Sequence, residues 1–187
     1  MGKEDIISQL NFLYKLKFVK RKNVVNNRFE STAEHIYSSL ILAEYFSQKV
    51  KNIDINKVYK LLLYHDAPEI IVGDSFILHK SRKDMKSKEE KIVPEFKKLI
   101  PKTMREDFHR IIREYHENKT RESKFAHAID ALDPMVQGAF EVKDWERHGF
   151  TEEKLRKHKE HLFKDFPELR LFFDQMIKHL RKKKYIL

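Results

Sequence analysis

Residues 61–74 read LLLYHDAPEIIVGD. An apolar run delivers His65 and Asp66 side by side, then Glu69, then Asp74 after the only glycine of the stretch. The spacing predicts a helix that starts at Asp54 as N-cap, runs through Val58, Leu61 and Leu62, and ends near His65. Pro68 suits the first turn of a new short helix, and Gly73 permits a turn. Neighbouring residues in a regular helix face different ways. His65 and Asp66 can therefore serve one ligand only if the helix stops there.

The same helical spacing extends in both directions. Residues 4–20 carry Ile6, Ile7, Leu10, Leu13, Leu16 and Phe18. Positions 21–30 are polar and break the pattern. Ser31 and Glu34 then form a capping-box pair opening a helix that turns Ile36, Leu40, Ala43 and Phe46 inward. Residues 75–83 read as a loop. Helices are expected at 84–99, 102–117, 121–140, 151–163 and 167–184, with Pro94 and Pro134 disturbing two of them. No alternating pattern of useful length occurs, so the fold class is all-α. One domain over residues 1–187 is expected, its C-terminal helices packed on the rest.

Composition limits the chemistry. The 187 residues include no cysteine, so disulfides, thiolate catalysis and Cys-bound zinc are excluded. A metal site must use histidine and carboxylates. The opening MGKEDIISQL is too charged for a signal peptide, and no apolar run could span a membrane. The expected setting is cytoplasmic. A formal net charge of +10 suggests anionic partners. Much of it lies in KLKFVKRK, HKSRKDMKSK and HLRKKKYIL, which read first as solvated surface.

Two further residues invite a shared site. His35 interrupts a buried helix start, and Asp130 interrupts FAHAIDAL, where apolar neighbours would line it. A buried carboxylate is costly unless paired or bound to a metal. Asp130 could equally be the partner of a lysine or arginine, and His35 a hydrogen-bonded histidine. Spacing alone does not join them. His127, three residues before Asp130, reads as a packed histidine beside any such site.

The order of ESTAEHIYSSLILAEYF, LLLYHDAPEIIVGD and EYHENKTRESKFAHAIDALDPM resembles the HD-domain phosphohydrolases, in particular their small 5'-deoxynucleotidase group. The resemblance implies an HD-type helical bundle with His35, His65, Asp66 and Asp130 as metal ligands. It also implies Glu69 and Asp74 as catalytic groups, one handling the water proton and the other the leaving oxygen. Members carry an arginine before the first histidine, for which Arg21 and Arg28 are the equivalents and would clamp phosphate. Lys80 on the following loop is a further phosphate candidate. Glu114 and Glu117 are candidates for a sugar hydroxyl. The implied cofactor is one divalent ion, manganese or cobalt favoured, with nickel, magnesium, zinc and iron as further fits. The implied reaction is hydrolysis of a nucleoside 5'-monophosphate by a homodimer, without membrane and with nucleic acid disfavoured. Another small phosphorylated metabolite or a signalling nucleotide is an alternative substrate. A nucleic-acid-binding domain with a structural metal is the alternative of a different class, resting on charge.

Overall fold

The computed structural model describes residues 5–73, 92–139 and 149–186. Helix α1 (Ile6–Tyr14) continues into a 3-10 turn (Lys15–Phe18). A β-hairpin follows, with β1 (Lys20–Val25) antiparallel to β2 (Arg28–Ser31). Then come α2 (Thr32–Ser47), α3 (Ile55–Tyr64) and α4 (Glu69–Val72). Residues 92–99 form α5. Helices α6 (Lys102–Glu117), α7 (Arg121–Gly138) and α8 (Glu152–Lys159), a 3-10 turn (Glu160–Phe163) and α9 (Pro167–Lys182) complete the order.

The helix boundaries have local causes. Ser31 and Glu34 make the reciprocal capping box of α2. Asp54 accepts from the Lys57 amide and starts α3, whose C-cap is His65. Thr120 accepts from the Ser123 amide and starts α7. Asn118 ends α6 in the left-handed region at φ 49°. Gly73, at φ +73°, closes α4 in a conformation that L side chains rarely adopt.

Helices α2, α3 and α7 pack against one another, and α6 packs on α3 and α7. Their shared core holds Ala43, Phe46, Val58, Leu61, Leu62, Ile129 and Leu132. Phe96 stacks on Phe108 with centroids 4.7 Å apart, and Tyr64 meets Phe108 edge-on at 5.4 Å. Phe125 of α7 meets Phe166 at 5.3 Å, which ties the C-terminal segment to the central helices. Truncating one of these buried rings to alanine typically costs about 3–5 kcal/mol. On the outer face Arg156 binds Glu152, Glu160 and Asp174, fastening α8 to α9.

The fold is the expected helical bundle, and the short hairpin is an addition that the sequence pattern did not announce. Asn26 and Asn27, at φ 47° and 63°, form a two-residue turn between the paired Val25 and Arg28. The alternation that would announce β1 is blurred by irregular pairing: Lys20 pairs with Ser31 and Val24 with Phe29, so β1 advances further than β2 between the two pairs. Among the described residues no helix is long and apolar enough to cross a membrane. The loop expected at 75–83 lies outside the described residues.

Candidate metal centre

Three helices supply the centre. His35 lies in the first turn of α2, one residue after the capping-box glutamate, and is fully buried. His65 is the C-cap of α3 and Asp66 follows it, so the helix ends where the two side chains need to converge. Asp130 lies midway along α7.

The distances bring all four together. His35 Nε2 is 3.1 Å from Asp130 Oδ1 and 3.7 Å from Asp66 Oδ2. His65 Nε2 is 3.2 Å from Asp66 Oδ2 and 3.7 Å from Asp130 Oδ1. The outer nitrogen of each ring is committed elsewhere. His35 Nδ1 lies 2.6 Å from Asp133 Oδ2, and His65 Nδ1 lies 2.7 Å from the Leu62 carbonyl. Both of those oxygens accept, so each Nδ1 carries the proton. Each Nε2 is left aimed at the two carboxylates.

The electrostatics call for positive charge at this point. Burial and Arg21 oppose protonation of His35, but hydrogen bonds to Asp130 and Asp133 outweigh them and raise its pKa to about 9. His65 is likewise raised: burial opposes the charged form and the Asp66 and Asp130 carboxylates overcome it. Burial works against ionised Asp66 and Asp130, yet both are held below their usual range, Asp66 chiefly by His65 and Asp130 by His35 and His65. His65 Nε2 is buried with no hydrogen bond in spite of the carboxylates around it. Two imidazole nitrogens and two carboxylates converging on one point fit a divalent cation of borderline or hard character.

A second layer surrounds this cluster. The Arg21 guanidinium donates to Asp66 Oδ2 at 3.2 Å and lies 3.3 Å from Glu30 Oε2. Glu30 is 1% exposed. Burial, then the Asp133 charge, push its carboxyl up to about 7 against the pull of Arg21. The Tyr115 hydroxyl donates to Asp130 Oδ2 at 3.2 Å. His127 stacks on the Tyr115 ring at 3.9 Å and bonds its carbonyl at 2.9 Å, which makes it a packed histidine. Glu69, one turn beyond His65, accepts from the Thr32 hydroxyl at 2.9 Å, so α4 is tied to the start of α2.

The structure therefore gathers His35, His65, Asp66 and Asp130, with Arg21 at their edge. It does not bring in three of the other candidates. Arg28 is at the surface in a two-pronged pair with Glu34, because the hairpin turn carries it toward the exposed start of α2. Glu114 is held by Lys57 at 2.7 Å and Thr120 at 2.5 Å, where it fastens the α6–α7 corner to α3. Glu117 is exposed and pairs with Lys119. Asp74 and Lys80 lie outside the described residues. Sequence reasoning missed Glu30, Thr32, Tyr115 and Asp133. Asp133 carried a signal, since three residues after Asp130 is the same helix face. Glu30 carried none while β2 was unread.

The family model for the HD domain matches residues 13–170. Human 5'-deoxynucleotidase HDDC2 is 28% identical over 149 residues, covering 78% of this chain and 72% of the human protein. The mouse protein of the same name is 29% identical over 118 residues, covering 63% of this chain and 58% of its own length. A predicted metal-dependent phosphohydrolase from Magnetospirillum magnetotacticum MS-1 superposes with a TM-score of 0.84 at 25% identity, covering 96% of this chain and 94% of that one. An HD-domain phosphohydrolase from Listeria innocua shares the fold, with a TM-score of 0.62 at 19% identity over 95% of this chain and 86% of that one. On the match over residues 13–170, together with the convergent histidines and aspartates, the chain belongs to the HD-domain phosphohydrolase family.

Proposed function

We propose that this protein is a divalent-metal-dependent 5'-nucleotidase that hydrolyses (deoxy)nucleoside 5'-monophosphates. The observation that carries the reading is the approach of His35 Nε2 and His65 Nε2, from different helices, to the same two carboxylates. The similarity to 5'-deoxynucleotidases named above supports the substrate class.

His35, His65, Asp66 and Asp130 would hold the ion; their mixed nitrogen and oxygen donors fit several divalent metals, and the family resemblance favours manganese or cobalt among them. When bound, such an ion supplies Lewis acidity toward water and the phosphoryl oxygens. The chain's own groups do the rest. Asp133 and the Leu62 carbonyl hold the imidazoles in the tautomer that presents Nε2. Arg21 offers a planar cation beside Asp66, suited to two phosphate oxygens. Glu69, steadied by Thr32, moves the proton between water and leaving oxygen, a task that Asp74 would share. A monoester presents a terminal phosphate to such a site, whereas an internal phosphodiester does not. The homodimer expected from the family resemblance belongs to the same reading and is checked by light scattering.

The test is phosphate release from a panel of 5'- and 3'-nucleoside monophosphates, other phosphorylated metabolites and cyclic or polymeric phosphodiesters. Manganese, cobalt, nickel, magnesium and zinc are compared with a chelated control. Metal-dependent release from 5'-monophosphates is expected. Equal rates on 3'-monophosphates, or preference for diesters, would contradict the substrate class.

A further inference from the structure

The two oxygens of Asp130 have different partners. Oδ1 lies 3.1 Å from His35 Nε2 and 3.7 Å from His65 Nε2, where the donors converge. Oδ2 accepts from the hydroxyl of Tyr115, in the last turn of α6, at 3.2 Å. That hydroxyl sits on a ring fixed from several sides. The His127 ring stacks on it with centroids 3.9 Å apart and planes at 25°. The His65 ring lies against it at 5.2 Å. The Tyr115 carbonyl accepts from His127 Nε2 at 2.9 Å and from Ser123 Oγ at 3.3 Å. Ser123 is fully buried, and Tyr115 is 7% exposed. Ser123, His127 and Asp130 all belong to α7, with His127 three residues before Asp130 on the same face. The helix that carries the carboxylate therefore also holds the tyrosine that binds it.

We propose that Tyr115 is a positioning residue: it keeps Asp130 on the ion through one oxygen, and so sets which divalent metals the centre prefers. A carboxylate with both oxygens free can turn and bind a metal through both. Tied at Oδ2, Asp130 offers Oδ1. A second oxygen from Asp130 would take a position at an octahedral ion that water or a phosphoryl oxygen needs. Calcium accepts two-oxygen carboxylates and loose geometry more readily than octahedral ions do, so loss of the tie works in its favour. The inference rests on the reading of His35, His65, Asp66 and Asp130 as the ligands of the ion.

The experiment titrates manganese into the chelator-stripped full chain, followed by electron paramagnetic resonance, and calcium in competition with it. Tyr115→Phe keeps the ring on His127 and removes the hydroxyl. Expected is a fall of about tenfold or more in manganese affinity, with a smaller fall or none for calcium, so that the preference for manganese shrinks. Equal losses for both metals would make Tyr115 a packing residue and overturn the proposal, as would wild-type manganese affinity in the variant. Should Tyr115→Phe fail to fold, or calcium bind neither protein, a crystal structure of the manganese-loaded wild type decides. Asp130 bound through Oδ1 alone, with Oδ2 on the Tyr115 hydroxyl, supports the proposal. Asp130 bound through both oxygens overturns it. A wild type that binds none of manganese, cobalt, nickel, magnesium or zinc overturns the ligand assignment as well, which separates the two failures.

Discussion

His35 Nδ1 and Asp133 Oδ2 lie 2.6 Å apart, with the imidazole 0% and the carboxylate 2% exposed. The pair commits one face of the ring so that the other can serve the centre. Asp133→Ala would leave a buried N–H unpaired and the ring unoriented. Metal affinity should fall about 10- to 100-fold, and Asp133→Asn, whose amide oxygen still accepts, should lose less. Metal titration checks this. Equal affinities in wild type and Asp133→Ala would remove Asp133 from the site.

Loss of a direct donor should be more severe. His65→Ala is expected to purify with little divalent metal, measured by elemental analysis. Chelation should lower the melting temperature of the wild type and leave that of His65→Ala nearly unmoved. Binding at 100 times Kd adds about 2.7 kcal/mol to the folded state. Equal metal content in the two proteins would refute the assignment.

Glu69→Gln separates metal holding from proton handling. The amide oxygen can still accept from Thr32, so the side chain should keep its place. Metal content is expected to be retained while turnover drops about 100-fold or more. Turnover at the wild-type level under saturating substrate would exclude Glu69 from catalysis.

A pH effect is expected at the start of α2. The Arg28 hydrogen bond, opposed by burial and aided by the Ser31 backbone and hydroxyl, lowers Glu34 to about 2. A carboxylate depressed in the folded state lends stability above its unfolded pKa, near 4.5, and loses it as pH falls through about 2. Glu34→Gln should therefore melt lower than wild type at neutral pH. The gap, about 1 kcal/mol at most for a partly exposed pair, should close between pH 4.5 and 2. Thermal melts of the chelated proteins across that range test it, and a gap independent of pH would show that the charge is immaterial.

Much of this was readable from local rules. Asp54, Ser31 and Glu34 marked helix starts through side-chain oxygens that need only nearby amides, and the structure uses each in that way. The end of α3 near His65 was legible from the close of the apolar spacing and from Pro68, which suits the start of a new helix. The hairpin was not, because its pairing depends on contacts across the turn and on an irregular register that spoils alternation. The neighbours of the centre divide similarly. His35, His65, Asp66 and Asp130 were found through motif order. Glu30 and Tyr115 come from a strand and a helix whose approach no spacing rule reports. The pairing of Glu114 with Lys57, far away in sequence, was likewise invisible to spacing.

The uneven register of the hairpin makes the aim of one cation a matter of strand length. Arg21 lies where β1 carries extra residues between Lys20 and Val24, and such an irregularity bends a strand and redirects its side chains. Removing a single residue there would turn Arg21 to the opposite face, while the donors on α2, α3 and α7 would stay where they are. The direction of Arg21 is thus set by residue count in the hairpin, and the metal-facing donors by the helices.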